Sequence, residues 1–88
     1  MKYNVYLWSG AGYQMDVITV EADCEEEALE LAVVEAEKSK SYLFFDDVDN
    51  LDEMIDNGLL AYVDATMEGA EQPHYVDATN LRIEKVKE

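Results

Sequence analysis

Lys2-Tyr3-Asn4-Val5-Tyr6-Leu7-Trp8-Ser9, then Gly10-Ala11-Gly12, then Tyr13-Gln14-Met15-Asp16-Val17-Ile18-Thr19-Val20-Glu21-Ala22, sets the fold of this chain. Both flanks are rich in aromatic and β-branched residues, which suit a pleated, half-buried surface. The two glycines between them can supply the positive φ of a tight turn. The stretch therefore predicts a β-hairpin. Tyr3, Val5 and Leu7 share one face of the first strand, and Asn4, Tyr6 and Trp8 share the other. On the return strand Ile18, Val20 and Ala22 point one way, and Tyr13, Met15, Val17 and Thr19 point the other.

Downstream, Asp23 is expected to open a helix, with Glu26 completing a capping box. Glu25, Glu26 and Glu27 suit the positive end of the helix dipole, and Lys38 and Lys40 the negative end. The helix should run to about Ser39. Ala28, Leu29, Ala32, Val33 and Ala36 form its apolar stripe, and Glu26, Glu30 and Glu37 are expected opposite, in water. Leu31 and Val34 fall outside the stripe and need another cover, for which the apolar run Tyr42-Leu43-Phe44-Phe45 is available. A short helix is predicted from Leu51 to Asn57, stopped by Gly58. Residues 59–67 read as a third strand. His74 to Val86 reads as a last extended segment, with a break expected near Asp77–Asn80.

The order β-β-α-short α-β-β gives an α+β class over one domain, residues 1–88. Its simplest arrangement is a single antiparallel four-stranded sheet with one main helix packed on one face. The other face would carry Tyr6, Trp8, Tyr13, Met15 and Val17. That is too much apolar surface to leave open, so it needs either the 42–58 segment or a partner over it.

Tyr-Val-Asp-Ala-Thr occurs twice, at 62–66 and 75–79. Two copies do not make a repeat array. The plain reading is two strands of one hairpin built from the same suitable residues. The alternative pairs Asp64 with Asp77 as a two-carboxylate patch.

Catalytic signatures are sparse. The one histidine, His74, has no second His and no nearby nucleophile to form a triad. Cys24 is a lone thiol, unable to form an internal disulfide, and no Cys/His cluster suggests zinc. Gly10-Ala11-Gly12 joins two strands with no Lys after it, so it is not a phosphate loop. In Asp47-Val48-Asp49-Asn50-Leu51-Asp52 the calcium-loop pattern fails at Leu51, at Asp52 and at Gly58, although loose cation binding by Asp46, Asp47, Asp49 and Asp52 stays open. The sequence thus points to a non-enzymatic protein and implies no cofactor.

Charge is the strongest functional signal. The chain carries 21 Asp+Glu against 6 Lys+Arg, a formal net charge of −15. From Tyr3 to Glu37 there are nine acids and no Lys or Arg, and from Ser41 to Leu81 ten acids and again none. Such a chain does not bind nucleic acid through phosphate contacts, and anionic membranes repel it. No apolar run approaches the roughly 18 residues of a membrane span. The N-terminus lacks a signal-peptide core, so a cytoplasmic protein is expected. Solubility alone needs a net charge of only about 2–8. The excess suggests a negative field that steers basic partners. The acidic candidates for partner binding are Glu26, Glu30, Glu37, Asp46, Asp47, Asp49, Asp52, Glu53 and Asp56. The apolar candidates are Tyr6, Trp8 and Tyr13.

Val20-Glu21-Ala22-Asp23-Cys24-Glu25-Glu26-Glu27-Ala28-Leu29 resembles the strand-to-helix junction of small acidic proteins of phages and mobile elements of Gram-positive bacteria, the DpnD/PcfM-like domains. The resemblance implies an origin more than an activity. Charge and resemblance together raise the expectation of an anti-defence inhibitor, of anti-CRISPR or anti-restriction type. It would cover the basic groove of a nucleic-acid-binding protein, such as a host nuclease or defence effector, by presenting carboxylates where phosphates lie. The alternative is an interaction module or homodimer anchored by the aromatic face.

Overall fold

The computed structural model of the protein describes residues 1–9, 14–39 and 42–87. Its elements are β1 (Lys2–Ser9), β2 (Gln14–Glu21), α1 (Glu25–Lys38), α2 (Leu51–Asp56), β3 (Leu60–Val63), a 3-10 turn (Thr66–Glu68), β4 (His74–Asp77) and β5 (Arg82–Lys85). The expected hairpin turn at 10–12, with Tyr13, lies outside the described residues.

β1 and β2 pair antiparallel, with Tyr3 opposite Val20, Val5 opposite Ile18 and Tyr6 opposite Val17. The alternation is the one the sequence predicts. Tyr3, Val5 and Leu7 are buried, and Met15 and Val17 are exposed. α1 packs on the buried face through Ala28, Ala32, Val33, Val34 and Ala36. Alanines along that contact let the helix lie close to the sheet. Leu7 and Val5 are fully buried beneath it, and truncating Leu7 to Ala is worth roughly 2–5 kcal/mol.

The helix cap sits one residue later than expected. Cys24, not Asp23, is the N-cap, and its Sγ accepts from the Glu27 N–H at 3.5 Å. The Glu27 carboxylate reaches back to the Asp23 N–H at 3.2 Å. The pattern is that of a capping box with Glu27 rather than Glu26 in the closing role, except that its return bond goes to the residue before the cap. α2 stops before Gly58, whose φ of 74° only glycine adopts without strain.

The single four-stranded sheet is wrong. Among the described residues five strands form two sheets, one of three strands in the order β2-β1-β5 and one of two strands, β3-β4. The cause lies in the two Tyr-Val-Asp-Ala-Thr copies. Tyr62 pairs directly with Tyr75, and both Tyr-Val pairs lie in strands. Each Asp then ends its strand in the same way. Asp64 Oδ1 accepts from the Thr66 N–H at 3.1 Å and the Thr66 hydroxyl at 2.7 Å. Asp77 Oδ1 accepts from the Thr79 N–H at 2.8 Å and the Thr79 hydroxyl at 2.6 Å, while its Oδ2 takes Asn80 Nδ2 at 2.8 Å. These side-chain bonds replace ladder bonds and turn the backbone away. The predicted strand 59–67 therefore ends at Val63. The 74–86 segment divides into β4 and β5, and β5 crosses to β1, with Tyr3 opposite Lys85 and Tyr6 opposite Arg82. Leu60, not Asp64, stands opposite Asp77, so the two carboxylates end opposite ends of the hairpin and form no joint patch.

No helix among the described residues is long and apolar enough to cross a membrane.

Candidate partner-binding surface

The most constrained polar group is His74, the first residue of β4, which is only 4% exposed. Its Nε2 lies 2.6 Å from Glu37 Oε2 and its Nδ1 lies 2.8 Å from Asp46 Oδ2. The Phe44 ring stacks on the imidazole at 3.8 Å between centroids. Both carboxylates have further duties. Glu37 accepts from the Glu71 N–H at 3.0 and 3.2 Å, and Asp46 Oδ1 accepts from the Tyr75 N–H at 2.8 Å. A neutral imidazole has one nitrogen without a proton, and that nitrogen would face a carboxylate lone pair here. Only the imidazolium donates on both sides. Burial pulls the His74 pKa down, but the hydrogen bonds to Glu37 and Asp46 and their charges outweigh it, so the net shift is upward. The Glu37 pKa is lowered, first by the His74 hydrogen bond and then by the Glu71 N–H.

This group is a clamp between α1, the 42–49 segment and β4. Both ring nitrogens are occupied and one ring face is covered, so His74 has no free nitrogen to offer a substrate. Glu37 and Asp46, expected on a solvated acidic surface, are turned inward to His74. Glu37 follows Val33 by four residues, so it lies only about 40° from the apolar stripe. That spacing is the local signal of its inward turn, but it does not name His74 or Asp46 as its neighbours.

The other acidic candidates face outward. Glu26, Asp47, Asp49, Asp52, Glu53 and Asp56 are exposed and Glu30 is half-buried. Glu26, Glu30 and Asp64, with Leu29 and the ring of Tyr62, line a groove of about 210 Å³ where the start of α1 meets β3. The Glu30 pKa is raised, first by partial burial and then by repulsion from Glu68, Glu26, Glu27 and Asp64. Five carboxylates thus converge from α1, the end of β3 and the 3-10 turn. Asp47 to Asp56 form a second acidic stretch around α2. Among the described residues no group of three or more His, Cys, Asp or Glu side chains is placed to hold a metal ion.

The apolar candidates are partly covered from within. Arg82 lies over the Tyr6 ring at 4.1 Å, and Phe45 stacks on Trp8 at 5.9 Å. The Tyr42 hydroxyl also donates to the Trp8 carbonyl at 3.5 Å. Tyr13 lies outside the described residues. The 42–45 run therefore serves His74 and Trp8. Leu31 and Val34, which it was available to cover, line a groove beside β2 instead.

Comparison with protein-family models, with curated proteins and with solved structures found no match.

Proposed function

We propose that this is a non-enzymatic acidic interaction protein that covers a basic nucleic-acid-binding surface by charge mimicry. The observation that carries the reading is the meeting of Glu26, Glu30 and Asp64 in one groove between α1 and the end of β3, where partial burial first, and then repulsion from Glu68, Glu26, Glu27 and Asp64, raises the Glu30 pKa. Surface charges without partners cost stability through repulsion, and a basic partner recovers that cost on binding. The partner is a basic nucleic-acid-binding protein, such as a host nuclease or defence effector, met in the cytoplasm. The junction resemblance at Val20–Leu29 supports a phage or mobile-element origin, and the excess of acid together with it supports an anti-CRISPR or anti-restriction role.

Covering of Tyr6 by Arg82 and of Trp8 by Phe45 favours the acidic surface over the aromatic one as the binding element. The test is binding to purified restriction enzymes and RNA-guided nucleases at about 50 mM and about 500 mM salt, with DNA as competitor. Affinity should fall steeply with salt, DNA should compete, and Glu30→Lys and Asp52→Lys should weaken binding. Salt-independent binding, or binding alongside DNA, refutes the mimicry. Glu37 and Asp46 are poor choices for reversal, because changing either breaks the His74 clamp.

A further inference from the structure

α1 overhangs the sheet it packs on. β2 is an end strand of the order β2-β1-β5, and no strand lies beyond it among the described residues. Ile18 and Val20 of β2, with Leu31 and Val34 of α1, floor a groove of about 430 Å³ along that edge. A second lobe of about 380 Å³ extends it past Asp16, sharing Ile18, Thr19 and Glu35 with the first.

The backbone of this edge is open for pairing. The Ala22 N–H donates to the Met1 carbonyl at 2.9 Å, so Ala22 faces β1. Antiparallel alternation then turns the N–H and C=O groups of Met15, Val17, Thr19 and Glu21 outward. Edge strands are commonly blunted by Lys, Pro or a bulge. β2, Gln14–Glu21, has no Lys or Pro and pairs with β1 without a bulge; its only charges, Asp16 and Glu21, guard the edge against acidic strands and not against a basic one.

Charge selects the occupant. The groove is rimmed by the carboxylates of Asp16, Glu21, Glu35 and Glu68, against the single ammonium of Lys38 among the described lining residues. Two of these acids have exposed local pairings, Glu21 with the terminal amine at 3.3 Å and Glu35 with Lys38 at 3.7 Å. Exposed pairs of this kind hold weakly. A second copy of the chain would bring the same carboxylates and another net −15. We propose that this groove takes an extended, Lys/Arg-bearing segment of the partner protein as a further strand beside β2. On the face it turns to α1, apolar side chains rest on Ile18, Val20, Leu31 and Val34, and cations towards either end reach Asp16, Glu35 and Glu68. The inference rests on the reading of a basic protein partner and adds how that partner is gripped.

The experiment uses as probe a capped octapeptide, Lys-Thr-Val-Thr-Val-Thr-Lys-Thr, whose threonines alternate with lysine and valine so that lysines and valines share one strand face. Its control is the same peptide N-methylated on alternate amides, so that it keeps its charge but cannot pair along an edge. Amide hydrogen exchange is read by NMR at low salt. The alternating peptide should slow exchange at Met15, Val17, Thr19 and Glu21 at least tenfold, and the methylated peptide should not. Val17→Pro removes an outward N–H while keeping the β1 ladder, and should abolish the protection. Glu35→Lys, at an exposed rim position, should weaken binding several-fold and serves if Val17→Pro loses its fold by circular dichroism. Equal binding of both peptides, or shifts confined to α2, overturns the strand-addition inference and leaves the charge reading standing. Binding of neither peptide overturns the inference, while the nuclease assay judges the functional reading separately. Protection that appears on concentrating the protein alone, with a doubled mass, also overturns it in favour of self-pairing.

Discussion

His74 Nε2 and Glu37 Oε2 stand 2.6 Å apart, joining the start of β4 to the last turn of α1. With Asp46 on the other ring nitrogen, the pair binds together three segments that share no ladder. His74→Gln keeps at most one of the two bonds and leaves a half-buried carboxylate without its counter-ion. The expected loss is about 2–4 kcal/mol, measured by urea denaturation near pH 6. An unchanged midpoint would show that the clamp contributes nothing.

Stability should depend on pH through the same group. The folded pKa of His74 is raised, so its contribution is complete below the unfolded value of about 6.5 and is lost as pH climbs through the folded value. The folded pKa of Glu37 is lowered, so its contribution is complete above about pH 4.3 and is lost as pH falls through the folded value. Stability should therefore peak between these limits and decline on the alkaline side. Urea midpoints measured from about pH 5 to about pH 9 check this, and His74→Gln should flatten the alkaline decline.

The two Tyr-Val-Asp-Ala-Thr copies predict an asymmetry. Asp77 is buried and makes bonds to Thr79 and Asn80, whereas Asp64 is exposed and bonds Thr66 alone. Asp77→Ala should cost about 1–3 kcal/mol, because Thr79 and Asn80 lose a buried acceptor. Asp64→Ala should shift the urea midpoint less. Equal shifts would contradict the role of burial.

Cys24→Ser should stabilise the protein. Sulfur is a weak acceptor for the Glu27 N–H at 3.5 Å, and a serine oxygen caps a helix better. A gain of about 0.5 kcal/mol in thermal or urea unfolding is expected.

Salt should raise the melting temperature. A net −15 on 88 residues opposes folding by self-repulsion, which counter-ions screen. Going from about 50 mM to about 500 mM sodium chloride should raise Tm by about 5 °C, on the order of 1 kcal/mol for a domain of this size. A falling Tm would mean that favourable surface ion pairs outweigh the repulsion.

Local signals carried most of the elements. Alternation in Lys2–Ser9 and Gln14–Glu21 marks the two faces of the hairpin, and the stripe Ala28–Ala36 marks the packed face of α1. Sheet membership was not legible, because β5 is only Arg82-Ile83-Glu84-Lys85 and nothing in those four residues names β1 as its neighbour. The break expected near Asp77–Asn80 is where β4 ends, and the bonds of Asp77 to Thr79 and Asn80 are what make it. The clamp has no local signature. Glu37, Asp46 and His74 are far apart in sequence, and long-range polar contacts leave no periodic trace.

β5 gives the molecule an order of assembly. The β1–β2 hairpin joins neighbours in sequence, but the sheet is complete only when Tyr3 meets Lys85, nearly the whole chain away. Closing so large a loop is slow and costs chain entropy. Until it closes, one edge of β1 stands open and Tyr6 lacks its Arg82 cover. The unfinished fold thus bares the eight-residue edge of β1 where the finished sheet ends on the four-residue β5. Whatever extended segment finds this protein early meets a less selective surface than the one it meets later.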